Sequence, residues 1–101
     1  MKINLDDKLT RDISTIAING KEFKVNKTKN AVLKVLALLD EGDSAENIDK
    51  AVELLVGAEF VSEMNELSFS DYKTAFIGVM AAAMDMTFED AKERFDSAQT
   101  P

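Results

Sequence analysis

Ser14-Thr15-Ile16-Ala17-Ile18-Asn19-Gly20-Lys21-Glu22-Phe23-Lys24-Val25 decides the fold class. Asn-Gly between two short apolar-alternating runs is the strongest local hairpin signal, because both residues of the tight turn need positive φ. In the first arm Ile16 and Ile18 share a face; in the second, Phe23 and Val25 do. Two strands alone are marginally stable in water, so the apolar face of this hairpin must rest on something else. The rest of the chain supplies helices for that purpose.

Downstream, Val32, Val35, Leu36 and Leu39 recur at helical spacing, which predicts a first helix from about Thr28 to Glu41, stopped by Gly42. Leu33 and Leu38 widen its stripe, so it is expected at the centre of the core. A second helix starts at Asp43 or Ser44, where Asp43 and Glu46 resemble a capping box. Ile48, Ala51, Val52, Leu55 and Val56 form its apolar face, and it is expected to run past Gly57 through Phe60 and Val61. The third helix follows Ser68 or Ser70 and carries Tyr72, Phe76, Val79, Met80 and Ala83. The fourth begins at Thr87, with Phe88, Ala91 and Phe95 on one face. The expected fold is α+β and mostly α, a hairpin packed on about four helices. It is read as one domain over 1–101: a polar leader at 1–12 with a short strand at Ile3–Leu5, the hairpin at 14–25, and a helical part at 28–96 followed by a fraying tail.

At 101 residues and 46% apolar content the chain can build one core. The longest apolar run, Val79 to Met84, is far shorter than the ~20 residues a membrane helix needs. The start, Met1 to Asp7, lacks the apolar stretch of a signal peptide, so the cytoplasm is the expected compartment. Net charge is −7, unevenly placed: residues 1–39 carry +4 and residues 40–101 carry −11. Nucleic acid would be repelled by the larger part. The segregation reads either as solubilising charge or as a means of lining copies up head to tail, so self-association is expected.

Reactive groups are scarce. The sequence holds no His and no Cys, which removes the commonest general base, the commonest metal ligand and every thiol nucleophile. Its four glycines are isolated and form no phosphate loop. The densest acidic cluster, Asp40, Glu41, Asp43 and Glu46, fails as a calcium loop: counted from Asp40, position 6 is Ala45 and position 12 is Ala51, where Gly and Glu are required. No enzyme, metal or cofactor is expected. Asp43-Ser44-Ala45 at a helix start resembles the phosphopantetheine attachment site of acyl carrier proteins, but Ala45 stands where those have Leu, and a hairpin precedes the helices here. Ser44 as an ordinary helix cap is the simpler account.

What remains is surface for proteins. Met64, Met80, Met84 and Met86 lie in or near the third helix, with Phe76 and Phe88 close in sequence. Methionine adapts its shape and is common on surfaces that take varied partners. The candidate partner-binding set is Phe76, Met80, Met84, Met86 and Phe88, against the alternative that Phe76 and Met80 simply fill the core.

The leader Lys2-Ile3-Asn4-Leu5, the hairpin Ile16 to Val25 and the helix Asn30-Ala31-Val32-Leu33-Lys34-Val35-Leu36-Ala37-Leu38-Leu39-Asp40 together resemble the tail assembly chaperones of long-tailed bacteriophages. The resemblance covers most of the chain but includes no catalytic signature. It implies a non-enzymatic protein that coats the long helical tape-measure protein, leaves as tail tube subunits polymerise, and is absent from the finished virion. In such families a frameshift often extends a short form toward the tube protein, and a chain ending at Gln99-Thr100-Pro101 suits the short form. The rival reading is a small phage or bacterial adaptor that binds one folded partner.

Overall fold

The computed structural model describes residues 1–9, 13–42 and 44–99, with 96–99 described as backbone only. The hairpin is formed by β1 (Thr15–Ile18) and β2 (Lys21–Lys24), antiparallel, with Ile16 opposite Phe23 and Ile18 opposite Lys21. Asn19 and Gly20 both have positive φ, 52° and 77°, as the two-residue turn requires. Beyond the strands, Val25 N–H donates to Ser14 O at 2.9 Å and carries the ladder one step further.

Five helices follow among the described residues: α1 (Lys29–Glu41), α2 (Ala45–Leu55), α3 (Ala58–Asn65), α4 (Phe69–Ala83) and α5 (Phe88–Gln99). The chain is therefore mostly helical with an N-terminal hairpin packed on helices. Side-chain oxygens start four of the helices. Thr28, Ser44, Ser68 and Thr87 each accept from the backbone N–H three residues on. Ser44, bonded to Asn47 N–H at 3.2 Å, caps α2; Asp43, the other expected cap, lies outside the described residues.

The structure corrects the sequence reading in four places. The expected strand at Ile3–Leu5 is absent; a 3₁₀ turn occupies Leu5–Asp7, capped by Asn4, whose Oδ1 accepts from Asp6 N–H at 3.1 Å. The second helix does not pass Gly57. It ends at Leu55, and Gly57 at φ 114° turns the chain into α3, so Phe60 and Val61 belong to a separate helix. The tail from Ser97, expected to fray, is helical backbone through Gln99, while Thr100 and Pro101 lie outside the described residues. Finally, α1 is not the centre. It buries only Ala31 and Val35, and Leu33 is 54% exposed. The centre is α4, which buries Tyr72, Phe76, Ile77, Val79, Met80, Ala81 and Ala83. A helix apolar on several sides is one surrounded by neighbours.

Those neighbours are identifiable. The hairpin lies over α4, with Ile16 Cδ1 close to Gly78, 3.6 Å from where a Cβ would stand. Phe23 of β2 meets Phe60 of α3 edge to face, centroids 5.2 Å apart. Phe95 of α5 meets Phe76 of α4 in the same way at 5.7 Å. Tyr72 Oη donates to Asp49 Oδ1 at 2.6 Å, tying α4 to α2, and Asn26 N–H donates to Leu55 O at 2.7 Å, tying the hairpin exit to the end of α2.

Candidate partner-binding surface

The predicted site residues separate once placed in space. Phe76 and Met80 are fully buried, so the partner-binding role expected of them gives way to a place in the core. Their position in the middle of α4, covered by hairpin and α5, explains why. Met84 is half-buried and packs against the core. Met86 is half-buried too, and its N–H donates to Ala81 O at 2.9 Å, closing the end of α4. Between them Asp85 has φ 53°, the left-handed residue typical of such a helix end. Of the five, Phe88 is the one well exposed, at 39%.

Phe88 has company that the sequence reading did not single out. It lines a groove of about 570 Å³ between α4 and α5, together with Phe69, Ser70, Lys73, Thr74, Ile77 and Lys92. Phe69 is 74% exposed and stacks on Tyr72, centroids 6.5 Å apart and planes 14° from parallel. Lys73 Nζ lies 5.8 Å from the Phe69 ring centroid, within cation–π range. Ile77 is buried and forms part of the lining. Each side of the groove thus carries a phenylalanine followed one turn later by a lysine: Phe69 and Lys73 on α4, Phe88 and Lys92 on α5. That repeated Phe-x-x-x-Lys spacing was the available sequence signal. Phe69 also continues the Tyr72–Phe76 stripe, but it lies in the first turn of α4, where no neighbour covers it.

Electrostatics sharpen the contrast. Residues 40–101 hold four Lys/Arg against fifteen acids, and two of those four cations line this groove. Two lysines of the N-terminal part, Lys21 in the hairpin and Lys27 beyond it, are engaged elsewhere. Lys21 Nζ donates to Glu63 Oε1 at 2.6 Å, and Asn19 Nδ2 donates to Glu63 Oε2 at 2.8 Å. These hydrogen bonds hold the Glu63 carboxyl below its usual range and raise Lys21 above its own. Lys27 Nζ donates to Asp85 Oδ1 at 2.6 Å and to Ser14 Oγ at 3.1 Å. The basic hairpin is thereby joined to the acidic helices within a single copy.

No protein-family model matches the chain, and no curated protein or solved structure does. Among the described residues, no group of three or more acidic side chains could hold a metal ion, and no helix is long and apolar enough to cross a membrane. Ser44 is committed to its cap: its Oγ accepts from Asn47 N–H, and it lies in the exposed entry to α2.

Proposed function

We propose that the chain is a non-enzymatic tail assembly chaperone of a long-tailed bacteriophage, acting in the host cytoplasm, which holds helical segments of a tape-measure protein until the tail tube forms around them. The sequence resemblance supplies the family. The observation that supports a holding role is the α4–α5 groove, an open trough of mixed lining in which Phe69, Ile77 and Phe88 lie beside Lys73 and Lys92. An amphipathic helix can lay apolar residues spaced i, i+3, i+4 into such a trough, with its carboxylates toward the lysines. Binding strength then comes from apolar burial, and charge sets orientation and on-rate. A chain with neither imidazole nor thiol has shape and charge to offer a partner.

Co-expression tests the reading. With the tape-measure chain of the same genome, the protein should convert an insoluble product into a soluble complex holding many copies per tape-measure chain. Phe69→Ser with Lys73→Glu should remove that effect. A complex of only one or two copies would point to an adaptor, and a tape-measure chain equally insoluble with and without the protein would end the proposal.

A further inference from the structure

Helix α1 is apolar out of proportion to what it buries. It carries six Val and Leu residues, of which Val35 alone is buried, and Leu33 is 54% exposed. The outward side has an order of its own. Asn30, Leu33, Ala37 and Asp40 are all exposed and follow one another at spacings of three, four and three, so they form one stripe along the helix, away from Val35. Lys29 and Glu41 stand exposed beside its two ends. Charge is divided along α1: Lys29 and Lys34 lie in its first half, Asp40 and Glu41 in its last turn. None of these four forms an ion pair among the described residues.

We propose that α1 is a dimerisation helix, packing antiparallel on α1 of a second copy about a two-fold axis at its midpoint, with Leu33 of each chain against Ala37 of the other. In the same register Lys29 meets the second copy's Glu41 and Asn30 meets its Asp40, each contact made twice because the axis repeats it. A large side chain thus faces a small one, which lets the helix axes approach to the ~8–10 Å of packed helices. A cation faces an anion, and each helix N-terminus lies beside an oppositely polarised C-terminus. A parallel pairing would instead set Lys29 against Lys29 and Glu41 against Glu41, with nothing in α1 to offset the repulsion. Copies therefore join face to face rather than head to tail, and a two-fold interface closes at two chains. This face shares no residue with the α4–α5 groove, so each dimer presents two open grooves and pairing needs no client.

Sedimentation equilibrium of the full chain across a range of concentrations tests the pairing. The mass should rise to twice that of one chain and go no further. Leu33→Glu should leave a monomer with an unchanged helical circular-dichroism spectrum, because Leu33 is exposed and lies outside the core. Lys29→Glu and Glu41→Lys should each raise the dissociation constant roughly tenfold, since either change turns both attractive pairs repulsive. Mixed together, these two variants should form a heterodimer about as tight as the wild-type dimer, because each supplies the charge the other lacks. A wild-type chain that stays monomeric up to its solubility limit would overturn the proposal. So would a mass that grows beyond two chains, a Leu33→Glu variant that associates as the wild type does, or a mixture no tighter than either charge variant alone.

Discussion

Phe60 is fully buried and meets Phe23 edge to face, so one ring joins α3 to the hairpin. Truncation to alanine removes a large buried ring and leaves a cavity the helices cannot close. Phe60→Ala should cost about 3–5 kcal/mol, read from urea unfolding. Tyr72 tests a polar contact instead. Its hydroxyl donates to Asp49 and is partly withdrawn from water; burial first, and then that hydrogen bond, push its ionisation above the ordinary value of 10.0. A raised native pKa means the contribution is complete below pH 10 and fades as pH climbs beyond it, because the unfolded chain gives up the proton first. Tyr72→Phe should therefore lower stability by about 1 kcal/mol at neutral pH. The same variant should flatten the alkaline limb of the stability–pH curve.

At the level of elements, the hairpin was legible because Asn19-Gly20 admits few other conformations and the alternation on either side agrees with it. The helix starts were legible for a related reason, since a hydroxyl placed just before an apolar repeat has a backbone N–H to satisfy. Centrality was not legible. A stripe such as Val32-Val35-Leu36-Leu39 says which way a helix faces, but how many neighbours it has depends on the packing of all the others, and α1 proved peripheral. Phe69 was overlooked for the same reason, because exposure in a first turn depends on where adjoining helices stop. Gly57 marks the break between α2 and α3. A Cβ there would touch nothing within 4 Å, yet φ is 114°, so any penalty for a side chain arises in the backbone. Gly57→Ala should cost about 1–3 kcal/mol. Gly78→Ala, in the body of α4 with ordinary contact to Ile16, should be neutral or stabilise by up to about 1 kcal/mol through helix propensity. Paired thermal melts distinguish the two glycines.

Across the molecule, order should be graded from α4 outward. The radius of gyration, 14.6 Å, exceeds the roughly 13 Å expected for a compact domain of this length, consistent with a leader that adds reach without adding core. Native-state hydrogen exchange at low concentration should be slowest at the amides of Val79 and Met80 and fastest before Leu9, with the hairpin between them. The turn that opens the fold also sets a limit on its lifetime. Asparagine followed by glycine is prone to spontaneous deamidation: the Gly20 nitrogen attacks the Asn19 side-chain carbonyl carbon, ammonia departs, and water opens the cyclic imide to aspartate or isoaspartate. In the folded chain Asn19 is restrained by its bond to Glu63. Once it is converted, a donor becomes a carboxylate facing Glu63, and the clasp between hairpin and α3 turns repulsive. Aged samples should accumulate a species one charge more negative, detectable by ion exchange and peptide mapping. Its hairpin should exchange faster than that of fresh protein, so the residue pair that specifies the turn also acts as a slow chemical clock.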